Sequence, residues 1–198
     1  MEDDLVKNTK DTLIDVARLL CAKTGVGNTT MNDIALASKK GRRTLYTYFN
    51  SKEEIYHAVI ESELNLLYES LEEVVDKEMP ADKKLLEFIY TRFEALKRLV
   101  IRNGTLRASF FRDIWKIETV RKSFDIREIN YIQIILKEGV KEGVFAVEDI
   151  DSMASVLHYT FKGLEIPYIQ GTLKLFTSTG TTASGSMLHF LFDGIRKK

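Results

Sequence analysis

Cysteine is all but missing from this chain. Cys21 stands alone, so no internal disulfide framework can form, and at an apolar position of a helical pattern it reads as a small buried hydrophobe. Proline is nearly as scarce: only Pro80 and Pro167 occur, and strand-like alternation is absent, which leaves long helices as the main element. No segment approaches the roughly 20 apolar residues of a membrane span. The start, Met1-Glu2-Asp3-Asp4, is acidic where a secretory signal begins basic. The expectation is therefore a cytoplasmic protein with no membrane partner. Excess charge of one sign is lacking too, with 29 basic and 29 acidic residues, so attraction to a polyanion must come from local segregation of charge. Three histidines give only one Glu-x-x-His pair, Glu54 to His57, because His158 and His189 follow Ser155 and Ser186 at that spacing. A helical di-iron set cannot close. No nucleophile, base and orienting residue stand at a family spacing either. The reading is of no metal, no cofactor and no enzyme.

What is present is helix. At 198 residues the chain has room for one large helical domain or a small one joined to a larger. A Ser51-x-x-Glu54 capping box predicts a long helix toward Lys77, ending before Pro80. Leu85, Leu86, Ile89, Phe93, Leu96 and Val100 repeat at helical spacing up to Asn103-Gly104, and a shorter helix carries Leu106, Phe110, Phe111, Ile114 and Trp115. From about Thr119 to Lys141, Ile126, Ile129, Ile132, Ile134, Ile135 and Leu136 make a helix apolar on more than one side. Such a helix is expected in the middle of a bundle. Glu142-Gly143 ends it, Asp149 or Asp151 caps the next, and Pro167 is expected to stop or kink that one. Thr177 to Ser186, TSTGTTASGS, has no apolar anchor and reads as a mobile loop. A last helix spans Met187 to Arg196.

The most informative stretch is Thr30 to Lys52, TMNDIALASKKGRRTLYTYFNSK, in which a short helix, a basic break and an aromatic-rich helix follow one another. Thr30 with Asp33 makes an N-terminal cap. Ile34 and Ala37 are expected to point inward, with Ala35 small enough for a close helix crossing. The turn lies near Lys39 to Gly41. Leu45 and Phe49 share the buried face of the second helix, leaving Arg42, Arg43, Thr44, Tyr46, Thr47 and Tyr48 to face outward. No acid interrupts Lys39 to Asn50. Lys52 falls in the first turn of the next helix, where a cation is unfavourable unless an anion such as phosphate lies beside it.

Over these residues the chain resembles the TetR (tetracycline-repressor) family of bacterial transcription regulators. Thr29-Thr30, Ile34-Ala35, Thr44-Leu45-Tyr46, Phe49 and Ser51-Lys52-Glu53 are in the family's register, and Leu13-Ile14, Ala17, Leu20 and Gly25 fit its first helix and stop. The family usually has glycine then valine at the turn, where this chain has Lys39 and Lys40. Either Lys39 is left-handed, at a cost of roughly 1–2 kcal/mol, or the turn is rearranged around Gly41.

The resemblance implies an all-α fold: a three-helix DNA-binding unit with a helix-turn-helix over 1–50, and a larger effector-binding and dimerisation domain over 51–198, with helix 51–77 connecting them. It implies a homodimer through the two C-terminal helices, on which Gly163 and Gly194 permit close approach, and double-stranded DNA with an inverted-repeat operator as partner. Thr30, Tyr46, Tyr48 and Lys52 then hold phosphates, Lys39 and Lys40 add positive charge at the turn, and Arg42, Arg43, Thr44 and Thr47 reach base edges. An unknown small-molecule effector releases the DNA, with Phe111, Trp115, Tyr131, His158 and Tyr159 as candidate pocket residues; ordinary core packing accounts for the same residues. The competing reading is a helical protein-interaction or ligand-binding module without specific DNA binding, which has to tolerate the Lys39 to Arg43 cluster with no phosphate opposite it.

Overall fold

A computed structural model of the chain describes residues 2–102, 118–177, 180–183 and 193–195. Its elements are α1 (Glu2–Thr24), α2 (Met31–Ala37), α3 (Arg42–Tyr48), α4 (Lys52–Val75), α5 (Ala81–Arg102), α6 (Glu118–Glu142), α7 (Ile150–Ile169), β1 (Phe176–Thr177) and β2 (Gly180–Ala183). Among the described residues the fold is all-α apart from one antiparallel two-stranded ribbon, in which Phe176 faces Ala183 and Thr177 faces Gly180. Contacts divide the described residues into two compact units, one of 2–65 with 99–102 and 118–120, the other of 66–98 with 121 onward. The division falls inside α4, near the end of α5 and near the start of α6.

In the first unit Leu13 and Ala17 of α1, Ile34 and Ala35 of α2, Leu45 of α3, Phe49, and Ile55 and Val59 of α4 form one buried cluster. Ala35 is the small inward residue of α2, whereas Ala37, expected inside, is exposed. Ser38 is buried in its place and donates its hydroxyl to the Ala35 carbonyl. The start of α4 thus belongs to the same core as the first three helices. Glu63, buried further along α4, pairs with Arg18 of α1 and Arg102 at the end of α5, each at 3.4 Å.

The second unit has an apolar core from Leu67 and Leu71 of α4, Leu85, Phe88 and Phe93 of α5, Ile132, Ile135 and Leu136 of α6, and Leu157 and Phe161 of α7. α6, expected in the middle of a bundle because it is apolar on more than one side, leaves part of that surface open: Ile126 and Ile134 are 60% and 41% exposed. α7 begins at the Asp149 cap, which accepts from the Ser152 amide. Of the stop or kink expected at Pro167, the helix does not stop at the proline itself but runs through it and ends two residues later, at Ile169. Proline removes one ladder bond by lacking an N–H, but this near the end few later bonds depend on it; the helix closes with the Thr172 and Leu173 amides both donating to the Pro167 carbonyl and Gly171 left-handed. α6 ends on left-handed Gly143, as read from Glu142-Gly143. Its Gly139 lies against Phe145 so closely that a Cβ would sit 2.0 Å from the ring.

The ribbon replaces part of the loop expected over Thr177 to Ser186. Its anchor is Phe176, just outside that segment, whose ring lies 5.1 Å from Tyr90 and 6.2 Å from Tyr168. Asn103-Gly104, the helix carrying Leu106 to Trp115, and most of Met187 to Arg196 lie outside the described residues. Residues 193–195 are helical, and the buried Ile195 accepts from the Ala146 amide.

A buried ionic network also occupies this unit. Arg92, 1% exposed, donates Nε to Glu128 at 2.6 Å and Nη2 to Glu165. His158 places Nδ1 and Nε2 each 3.2 Å from a carboxylate, of Glu128 and Asp125 respectively. Lys162 closes the chain on Asp125 at 2.8 Å. Burial opposes ionisation of Glu128, yet Arg92 and His158 hold its carboxyl below the usual range. Burial wins at Glu165, whose carboxyl is pushed up against the pull of Arg92. The network joins α5, α6 and α7.

Candidate nucleic-acid interface

The helix-turn-helix is built by caps. At α2, the Thr30 hydroxyl oxygen accepts from the Asp33 amide at 3.2 Å while the Thr30 amide and hydroxyl donate to the Asp33 carboxylate at 2.9 and 2.7 Å. These two bonds from Thr30 hold the Asp33 carboxyl below its ordinary range. One residue earlier, Thr29 is buried and donates its hydroxyl to the carbonyl of Gly25, the left-handed residue that ends α1. In the sequence Thr29 stands out only as part of the family pattern. Its signal was a β-branched hydroxyl beside a helix stop, enough to suggest a carbonyl partner.

The turn resolves the choice posed by Lys39. Lys39 has φ 54°, while Gly41 is extended and serves as the N-cap of α3. The Lys40 amide donates to the Ala35 carbonyl and the Lys39 amide to Leu36, the paired bonds of a Schellman ending with lysine in the glycine position. The family-type turn geometry is therefore kept, at a local backbone cost.

α3 then displays its side chains in two sets. Leu45 is fully buried, and Arg42, Arg43, Tyr46 and Thr47 are exposed, with Thr44 half-buried. Tyr48, expected outward, is half-buried against the core, because it follows Leu45 by three residues and so shares part of its face. The Arg42 guanidinium lies over the Tyr46 ring at 5.6 Å from its centre. Thr47 donates its hydroxyl to the Arg43 carbonyl at 3.0 Å, leaving its methyl as the free outward group. Lys39 is exposed beside this face and Lys40 half-buried.

Lys52 behaves otherwise than read. Its ammonium donates to the Val26 and Gly27 carbonyls at 3.0 and 3.5 Å, so backbone oxygens supply the negative partner for which phosphate was invoked. The capping box of α4 is shifted by one: Ser51 accepts from the Glu54 amide, but Glu54 reaches back to the amide of Asn50. Cys21 is buried in this unit, and burial pushes its thiol up against the hydrogen bond from Thr29.

The five candidate effector residues are placed less coherently. Tyr131 and His158 are buried, His158 inside the ionic network, whereas Tyr159 is 58% exposed. Phe111 and Trp115 lie outside the described residues. A cleft of about 760 Å³ in the same unit is lined instead by mixed charge, including Lys77, Lys84, Glu138 and Glu142, and by none of the five. Among the described residues there is no cluster of His, Cys, Asp and Glu fit to hold a metal ion. Nor is any described helix long and apolar enough to cross a membrane.

Comparison with known proteins places this geometry. Residues 13–59 match the family described as bacterial regulatory proteins, tetR family, a span that runs from Leu13 of α1 to Val59 of α4 and holds the whole buried cluster of the first unit. The chain is 23% identical over 79% of its length, and 84% of the relative's, to the HTH-type transcriptional regulator QacR of Staphylococcus aureus. It is 26% identical over 72% of its length, and 70% of the relative's, to the HTH-type transcriptional repressor KstR2 of Mycolicibacterium smegmatis. Among solved structures, a transcriptional regulator of Cytophaga hutchinsonii superposes with a TM-score of 0.67, at 24% identity over 79% of both chains. SmeT, the repressor of a multidrug efflux pump of Stenotrophomonas maltophilia, superposes at 0.66, with 17% identity over 96% of this chain and 91% of the other. These are regulators of transcription rather than enzymes. Residues 13–59 thus carry the DNA-binding domain of the tetR family, and the chain as a whole, with its helical second unit, is similar to transcriptional regulators of that family.

Proposed function

We propose that this protein is a cytoplasmic repressor that binds an inverted-repeat operator as a homodimer and leaves it when a small molecule occupies its larger unit. The observation that carries the reading is the outward face of α3 and its turn: Lys39, Arg42, Arg43, Tyr46 and Thr47 exposed together, with no acid from Lys39 to Asn50. A solvated face of that composition would repel itself. Opposite a phosphate backbone it releases counterions and gains affinity.

Roles follow from placement. Arg42, Arg43, Thr44 and Thr47 address base edges, with the Thr47 methyl suited to thymine because its hydroxyl proton is already given to Arg43. Lys39, Lys40, the Tyr46 and Tyr48 hydroxyls and the backbone around Thr30 address phosphates, and Lys52 contributes mainly by fastening α4 to the loop after α1. The reader spans 1–50 and the effector and dimerisation body 51–198, with α4 connecting them. α4 suits that role because Ile55 and Val59 pack in the reader core while its later residues pack in the second unit.

Dimerisation is supported by α7, on which Val156, Tyr159 and Ile166 are 57%, 58% and 54% exposed and line up with Gly163 on one face. A second copy would cover that face and set two readers about one turn of DNA apart, roughly 34–36 Å. A ligand acts by favouring the non-binding arrangement, with coupling of about 1–3 kcal/mol. Tyr131 with Phe88 at 6.5 Å supports an aromatic, weakly polar effector site.

The deciding experiment is a gel shift on the DNA upstream of the gene, titrated with salt. A specific complex whose affinity falls steeply as salt rises is the expected result. A protein that shifts no DNA, or shifts all sequences equally, would leave the module without DNA specificity as the better reading.

A further inference from the structure

Two arginines open α3, and the structure distinguishes them. The Arg42 guanidinium rests on the Tyr46 ring, 5.6 Å from its centre, within the range of cation–π attraction. The pairing follows from the backbone: four residues apart on a helix, and with helical side chains leaning toward the N-terminus, the ring at 46 covers the turn that carries residue 42. Among the described residues no carboxylate forms an ion pair with Arg42. Arg43, its exposed neighbour, has no ring beneath it among the described residues.

We infer that Tyr46 is a positioning residue for Arg42, and that this stacked pair, rather than Arg43, reads one base pair in each half-site. The inference rests on the operator reading above and deepens it. A guanidinium attracted to the ring face loses part of its rotamer freedom before DNA arrives, and its planar donor fork is the shape that matches the O6 and N7 edge of guanine. Arg43, grouped above with the residues addressing base edges, is on this inference reassigned: it keeps its freedom and serves as a point of positive charge toward phosphate. Tyr46 therefore has two separable parts. Its hydroxyl holds a phosphate, affecting all sequences alike; its ring orients Arg42, affecting one base pair.

The test uses the full-length protein and a duplex that it selects from a randomised pool, with every single-base variant of that duplex measured by fluorescence anisotropy. Arg42→Ala should abolish preference at one symmetric pair of positions. Tyr46→Leu should weaken the same preference about two- to fivefold, the loss of an exposed cation–π contact. Tyr46→Phe should lower affinity by a similar factor on every duplex while keeping the preference. In Arg42→Ala/Tyr46→Leu no further preference should be lost. Residue 46 is 41% exposed, so these variants keep the buried cluster of the reader, and circular dichroism verifies it. If Tyr46→Leu weakens all duplexes equally, or if Arg43→Ala rather than Arg42→Ala relaxes a position, the inference is overturned. A pool that yields no preferred sequence overturns instead the operator reading on which it rests.

Discussion

Replacing Lys39 by glycine should stabilise the protein, and the gain can be worked from the turn. Lys39 stands at φ 54° and is held there by the bonds from its own amide and that of Lys40. A residue with a Cβ costs about 1–2 kcal/mol in this conformation. Glycine removes the cost but adds freedom to the unfolded chain, returning about 0.4–1 kcal/mol. A net gain of about 0.5–1 kcal/mol remains, which for a chain of this length raises Tm by about 1–4 °C. Because the substitution also removes an ammonium, alanine is the control: it loses the same charge and keeps the Cβ. Thermal unfolding at one protein concentration should rank glycine above alanine, with alanine close to the wild type. On DNA the two variants should lose affinity alike, and the slope of log affinity against log salt should fall by about one for each phosphate contact removed. A glycine variant no more stable than the alanine variant would refute the strain reasoning. Unequal losses on DNA would show that the shape of the turn, and not the charge alone, is read.

Other substitutions follow from the same geometry. Gly139→Ala drives a methyl into the Phe145 ring, where the Cβ would lie 2.0 Å from Cδ2, and should cost about 1–3 kcal/mol in urea unfolding; Phe145→Leu in that background should recover part of it. Thr30→Ala removes the α2 cap and should cost about 1 kcal/mol near neutral pH. The Asp33 carboxyl is held low by Thr30, so its contribution is present above the unfolded-state value and is lost as pH falls through the folded one; the wild type should lose its advantage over Thr30→Ala on acidification, followed by circular dichroism. Arg92→Met leaves Glu128 and Glu165 buried without their cation and should destabilise by about 3–5 kcal/mol in chemical denaturation. An Arg92→Met protein as stable as the wild type would mean that the network is replaceable by apolar packing.

Much of this protein is determined by its sequence alone, and the legible parts share a property: they close within a few residues. The Thr30 and Asp149 caps, the stops at Gly25 and Gly143, the lengths of α4 and α6 and the outward placement of Arg42, Arg43 and Tyr46 depend on hydrogen bonds and helical spacing over one or two turns. Only tertiary structure decided the rest. The handedness of Lys39 was open because two backbone solutions fit the same Lys39-Lys40-Gly41 string, and packing of α2 on α3 selects one. Ala37 faces water, and Ile126 and Ile134 lie open, because a helical face is buried only where another helix arrives. Lys52 is neutralised by carbonyls 26 and 25 residues away, and Arg92 by carboxylates 36 and 73 residues on. No local spacing encodes such pairs. They exist because desolvated charge must find a partner wherever the chain brings one, and the fold alone determines which groups meet.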